Sequence, residues 1–243
     1  MIKEVRPGVF WMHPPDGGEM YMIRTTAGLA LVDSSFVRHK DLFLRDMKSV
    51  GLDPREVKIG FLTHLHCDHA GGMGWWKQEF GFKVVAHELT VGPVEAGDTL
   101  ATGAHMAYAG IDDKFLPCKI DIKVKGGEDF TLGERTFRIV YAPGHAAGSI
   151  HILSGELLFI GDTVFGNGGI GWMDVHWGSH PEDYVETLKR MREHIGKLAL
   201  AGHGEPYVLS ETILKTASDA AAFYIPGAHG LGSQRPKSGY AGK

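Results

Sequence analysis

The pattern of the chain predicts an α/β (α+β) protein made of two similar β-α halves, and three observations carry that expectation. Short apolar strands alternate with amphipathic helical stretches over most of the length. A strand running into a histidine-bearing turn occurs in the first half and again in the second. No linker composition divides the halves, so residues 1–224 read as one domain, followed by a Gly-, Ser- and Lys-rich tail over 225–243.

Val9-Phe10-Trp11-Met12 reads as a first strand, and the turn-rich His13-Pro14-Pro15-Asp16-Gly17-Gly18 follows it. Met20–Arg24 and Leu29–Asp33 flank Thr26-Ala27-Gly28 as a hairpin, with the apolar Leu29-Ala30-Leu31-Val32 as a central strand. Phe43, Met47 and Val50 fall at i, i+4 and i+7, with charges between them and Gly51 beyond, which predicts a surface helix. Asp53-Pro54 turns the chain into the buried strand Val57–Leu62. After a polar loop, Gly71-Gly72 lets the backbone pass close, Trp75–Phe80 reads as helix and Lys83–Ala86 as strand. Trp75-Trp76 reads as packing. Residues 96–118 break this rhythm, with Gly97, Gly103 and Gly110 among small residues, and read either as a lid or as a plain surface excursion.

In the second half Ile120–Val124, Asp129–Leu132 and Thr136–Tyr141 read as strands, the last running into Pro143-Gly144-His145. Ser149–Leu153 and Leu157–Ile160 flank the turn at Ser154-Gly155-Glu156, and the second delivers Asp162. Ser179-His180-Pro181-Glu182 has the composition of a capped helix start, with Val185, Leu188, Met191 and Ile195 as the buried stripe. Leu198–Ala201 delivers His203, and a helix from Ser210 to about Tyr224 closes the fold.

With 43 % hydrophobic and 22 % charged residues, the 243-residue chain reads as an ordinary soluble protein able to bury its own core. A formal charge of −4 without a basic run argues against a nucleic-acid partner. The two cysteines, Cys67 and Cys118, are too few for a disulfide framework. No apolar run approaches the ~20 residues of a membrane span, and Met1–Pro7 lacks a signal-peptide core, so the expectation is a cytoplasmic protein. The tail leans toward a homodimer.

Within this frame the polar loop Thr63-His64-Leu65-His66-Cys67-Asp68-His69 concentrates the chemistry. A strand leading into it throws His64 and His66 to one side, and a tightening turn brings Asp68 and His69 round to a second point. Imidazole nitrogens and carboxylate oxygens are donors for a borderline divalent ion such as zinc, and two such pairs suit two adjacent ions better than one.

The spacing His64-x-His66-x-Asp68-His69 resembles the signature of the metallo-β-lactamase-fold hydrolases, and the rest of that ligand set appears in order at His145, Asp162 and His203. The resemblance runs from about Val9 to His203. It implies a four-layer αββα sandwich with the ligands at strand ends along one edge. It further implies that His64, His66 and His145 bind one metal, that Asp68, His69 and His203 bind the other, and that Asp162 bridges them. The cofactors so implied are two divalent ions, Zn2+ foremost, with Mn2+ or Fe2+ as alternatives. Two ions roughly 3.5–4 Å apart share a water and lower its pKa from ~15.7 toward ~7, giving a bridging hydroxide. Asp68 or Asp162 could accept a proton as the intermediate collapses, and His176, on the loop beyond Asp162, could help hold an oxyanion. Asp33, at a strand end, either resembles the family's aspartate that orients the metal loop or caps the next helix. Cys67 faces away from His66 in an alternating chain and is not counted as a ligand.

The stretch from Gly161 to Asp174 is similar to the glyoxalase II-like branch, which hydrolyses thioesters. Trp172 stands where an arginine is common there, Ala146 replaces a frequent threonine, and the chain ends too soon for that branch's glutathione-gripping helical domain. The size also fits the lactonases of the superfamily, whose usual tyrosine is not assigned here. The leading expectation is a hydrolase of a small-molecule carboxylic ester, thioester or lactone. Phosphodiester or phosphotriester hydrolysis, an iron-dependent sulfur dioxygenase and a non-catalytic binding protein are the alternatives. Met12, Met20, Met106, Tyr108 and Trp172 are either an apolar pocket or ordinary loop anchors.

Overall fold

Along the N-terminal strands the parity of the sequence sorts side chains onto two faces. Val9, Trp11, Tyr21, Ile23, Ala30 and Val32 join one buried cluster, while Phe10, Met12, Met20, Met22, Leu29 and Leu31 join another. A sheet buried on both faces must be covered on both. The computed structural model, which describes residues 1–107 and 115–225, shows how.

Seven strands form the first sheet in sequence order: β1 (Ile2–Arg6), β2 (Val9–Met12), β3 (Met20–Thr25), β4 (Gly28–Val32), β5 (Val57–Phe61), β6 (Lys83–His87) and β7 (Ile122–Val124). The second sheet contains β8 (Asp129–Leu132), β9 (Arg135–Tyr141), β10 (Ile150–Ser154), β11 (Leu157–Gly161), β12 (Leu198–Ala201) and β13 (Tyr207–Val208), in the order β13-β12-β11-β10-β9-β8. The helices are α1 (Lys40–Ser49), α2 (Cys67–Ala70), α3 (Met73–Phe80), α4 (Glu88–Ala96), α5 (Ala104–Ala107), α6 (Pro181–Arg190) and α7 (Glu211–Ala222).

Phe61, Phe137, Ile139, Ile152, Phe159 and Leu200 meet Val9, Tyr21 and Val32 between the sheets. Phe43 of α1, Met73 and Trp76 of α3 and Val91 and Val94 of α4 cover the outer face of the first sheet. Tyr184 and Leu188 of α6 and Leu214, Ala217 and Ala221 of α7 cover the second. The order of layers is therefore αββα, as expected. Among the described residues no helix is long and apolar enough to cross a membrane.

Five strands end at the site. β4 and β5 are parallel neighbours, as are β11 and β12. β9 lies two antiparallel steps from β11 and so runs with it. Asp33, the His64–His69 loop, His145, Asp162 and His203 thus all leave the C-terminal ends of their strands. Backbone bonds from Ile150 N to Thr63 O (2.8 Å) and from Glu19 N to Gly202 O (2.7 Å) stitch the two sheet edges together there.

Several elements depart from the sequence expectation. β1 precedes the expected first strand, and its two partly buried apolar residues, Ile2 and Val5, are too few to mark an edge strand among charges. α4 and the two-residue β13 were not foreseen. The buried stripe of α6 is Tyr184, Thr187, Leu188 and then Met191, and Ile195 is exposed because a 3-10 turn (Met191–His194) breaks the helical period. His180, not Ser179, caps α6, its ring accepting from Asp183 N. The expected 96–118 excursion contains α5, while Tyr108 and Gly110, like the tail beyond Ile225, lie outside the described residues.

Candidate metal centre

β5 delivers Thr63 and His64, and the extended backbone of His66 (φ −62°, ψ 146°) opens α2, which turns Asp68 and His69 back toward the strand end. His66 Nδ1 and His145 Nε2 stand 3.0 Å apart, and one nitrogen from each of His64, His66 and His145 lies within 4.8 Å of the other two. Asp68, His69 and His203 converge in the same way. Asp162 sits between the sets: Oδ1 is 3.3 Å from His69 Nε2, while Oδ2 is 3.3 Å from His203 Nε2 and 3.9 Å from His145 Nε2. All seven expected ligand positions are thus brought together by four strand ends, those of β5, β9, β11 and β12.

Asp33 resolves its two readings in favour of orientation. It accepts from Thr63 N (2.8 Å), from Thr63 Oγ1 (2.7 Å) and from His69 Nδ1 (3.1 Å). With its Nδ1–H donated, His69 presents the Nε2 lone pair to the centre. Thr63 Oγ1 in turn lies 2.9 Å from His64 Nδ1 and accepts from it, so His64 Nε2 faces inward too. Asp33 also forms a close cluster with His64 and His69, but its oxygens are already taken. Its left-handed backbone (φ 54°) is held by a bond from its N–H to Phe61 O.

The donor set fits divalent metal. His64 Nε2, His69 Nε2 and Asp162 Oδ1 are buried without a hydrogen-bond partner. Each such atom costs about 1–3 kcal/mol if nothing satisfies it. Divalent metal bound by these imidazoles and carboxylates would satisfy all three.

Electrostatics divides the two sets. Burial, then the neighbouring imidazoles, pushes His64 and His66 well below the usual histidine range, and burial holds His145 at about 4. These three rings are neutral, the form a metal requires. Burial works against His69 as well, but the carboxylates of Asp68 and Asp162 outweigh it and lift the ring to about 10. His203 is raised in the same way, and burial of Asp68 and Asp162 is overcome by these rings, which hold both acids below the carboxylate range.

A cleft of about 530 Å³ opens onto the cluster. His66, Asp68, His145, Asp162 and His203 form its floor, and Phe36, Met106, Phe165, Ile170, Trp172 and Trp177 its walls. Thr102, Gly103 and Ala107, from the segment read as lid or excursion, line it as well. Met12 and Met20 do not; both are buried in the core, because parity places them beneath the first sheet. The structure does not bring His176 to the cluster either. Its ring is exposed and pairs with Asp174 Oδ1 at 2.7 Å, and its neighbour Trp177 takes the place over His66. Cys67 is buried, and burial pushes its thiol up, which keeps it protonated.

Several supporting residues were not singled out in the sequence. The buried Tyr184 hydroxyl lies 2.8 Å from both Asp162 O and Thr163 O and accepts from Gly171 N. Ser179 Oγ donates to His145 O. The buried Glu19 accepts from Trp11 Nε1 (2.8 Å) and from Gly204 N (3.1 Å), which ties down the His203 loop. Only Glu19 left a signal, an acid set against the apolar run Met20–Ile23.

The family model described as the metallo-beta-lactamase superfamily matches residues 13–203. The chain belongs to that superfamily, and its enzyme class is that of a metal-dependent hydrolase. A metallo-beta-lactamase fold-containing protein of Sulfurisphaera tokodaii is 29 % identical over 65 % of this chain and 65 % of its own. An acyl-coenzyme A thioesterase of Gallus gallus is 24 % identical over 80 % of this chain and 76 % of its own. A hydroxyacylglutathione hydrolase of Hyphomonas neptunium is 35 % identical over 54 % of this chain, which spans only 41 % of that enzyme. In fold, a subclass B3 metallo-beta-lactamase of Bradyrhizobium japonicum superposes with a TM-score of 0.72 at 23 % identity, covering 90 % of this chain and 89 % of its own.

Proposed function

We propose that the chain is a two-metal hydrolase of a small-molecule acyl compound, a thioester first, with carboxylic esters and lactones as chemical neighbours. The observation that carries this reading is the pair of three-donor sets with Asp162 between them at the floor of a ligand-sized cleft. Thioesterases and a thioester hydrolase among the similar proteins support the choice of acyl group.

His64, His66 and His145 would hold one divalent ion and Asp68, His69 and His203 a second, with Asp162 between the two sets. Such ions, zinc foremost, would supply a hydroxide nucleophile near neutral pH and polarise the substrate's oxygen. Thr63 and Asp33 fix the tautomers of His64 and His69. Asp68 is the one carboxylate of the set that is about a quarter exposed and on the cleft lining, so it is placed to accept a proton from the reacting centre. The walls exclude water from the bound acyl group.

Metal analysis of protein purified without chelator, followed by a panel of thioesters, lactones and phosphoesters, tests the reading. About two equivalents of metal with acyl turnover supports it. Turnover confined to phosphoesters, or a single iron with sulfur oxidation, overturns it. Asp162→Asn is expected to lose about 10²-fold or more in kcat together with part of its metal. Wild-type turnover in that variant, with both ions retained, would sink the assignment of Asp162.

A further inference from the structure

We propose that the cleft is built for an apolar, medium-chain acyl group, and that Trp172 and Met106 at its mouth set the preferred chain length. This rests on the acyl-hydrolase reading above. The apolar wall begins at the ligands themselves. The Trp177 ring lies 4.3 Å from the His66 ring at 67°, and Phe165 lies 5.8 Å from His203 at 77°. A carbonyl reacting at this floor therefore has its carbons leave between aromatic faces.

Ile170 and Phe36 continue the wall, and both are buried. The outer end is different. Trp172 is 74 % exposed and Met106 50 %, in a chain that keeps Trp11, Trp76 and Trp177 at 7 % or less. Large apolar side chains left open at the mouth of a cleft mark a surface that a ligand covers. The backbone at Trp172 is placed by its neighbour: Gly171 packs so tightly on His145 that a Cβ would lie 2.5 Å from Nδ1. The indole therefore starts one residue from the reacting centre. Arg38 extends the wall rather than interrupting it, because its guanidinium lies 3.7 Å over the Phe36 ring and pairs with Asp16 at 2.9 Å. The cleft volume, about 530 Å³, exceeds what a short hydroxy-acid group would fill. The second carbon of such an acid would also place a hydroxyl against Trp177 and Phe165, with its hydration lost.

The metal-loaded enzyme would be assayed with acetyl, butyryl, hexanoyl and octanoyl thioesters of N-acetylcysteamine, with S-lactoylglutathione as the hydrophilic comparator. Binding of the non-hydrolysable S-octyl and S-ethyl thioethers of the same thiol would be followed by calorimetry. Each buried methylene is worth roughly a three-fold gain, so over the six added from acetyl to octanoyl kcat/KM is expected to rise several hundred-fold, mainly through KM. Trp172→Ala and Met106→Ala should flatten this rise and weaken S-octyl binding about ten-fold, whereas Ile195→Ala, an exposed apolar residue off the cleft, should preserve the profile. Equal binding of S-octyl and S-ethyl thioethers, or a steep profile that survives in both cleft variants, overturns the inference. Octyl preference without hydrolysis of any thioester, ester or lactone would uphold the apolar site and sink the acyl-hydrolase reading instead.

Discussion

Asp33 accepts three hydrogen bonds and adopts a φ of 54° to do so, although it contributes no free oxygen to the centre. In Asp33→Asn one carboxylate oxygen becomes an NH2 group, which faces a donor whichever way the amide is turned. Turned one way, the amide takes from His69 the acceptor of its Nδ1 proton; turned the other, it takes the acceptor of Thr63 N and disturbs the strand end that carries His64. Metal affinity is expected to fall about 10- to 100-fold, measured by competition with a chromogenic chelator, while circular dichroism stays native. Unchanged affinity would mean that Asp33 serves only the backbone. The seven residues at the centre were legible because metal chemistry restricts both donor type and spacing. Tyr184 and Ser179 were not, since a tyrosine or serine on a helix or its approach carries no mark of the carbonyl it will reach. His176 was read as near the centre from loop proximity alone, and a single residue's difference gives that place to Trp177.

At the scale of the element, strands with a clear parity were readable and their ends were readable with them. β2, β3, β4 and β12 fall within a residue of expectation, because each is a largely apolar run bounded by turn residues. β1 and β13 escaped because edge strands need little apolar content, and α4 escaped because Gly92 and Pro93 lie inside it. What positions the site is less the strands than the close approach where they stop. Gly202, between β12 and His203, has no room for a side chain: a Cβ would lie 2.6 Å from His69 Cε1 and against Asp162 Oδ1. Its φ is one that any residue can adopt, so the obstacle is steric. Gly202→Ala is therefore expected to fold but to displace His69 or Asp162, losing about one equivalent of metal and most activity. Metal counting on the purified variant decides it, and two tightly held ions would show that the loop yields.

Taken over the whole molecule, the fold joins a neutral donor set to an acid-rich one, and this gives metal loading a pH dependence. His64, His66 and His145 carry no second ring proton near neutrality, so they offer the metal no competition. His69 is held at about 10 and His203 is also raised, so the metal-free protein keeps protons where the second ion binds. Metal must displace them, and its apparent affinity rises with pH toward about 10. The same shift acts on the metal-free fold with opposite effect. A raised folded value stabilises fully below the unfolded value of about 6.5, and that stabilisation is lost as pH rises through the folded one. The loaded protein carries no such proton to lose. Metal at about a thousand times its dissociation constant adds about 4 kcal/mol, which for a chain of this size is about 10 °C in Tm. That gap, measured with and without chelator, should widen from pH 6.5 to 8.5, with proton release on metal addition in weak buffer. A gap that stays constant, without proton release, would show that His69 and His203 are already neutral before the metal arrives.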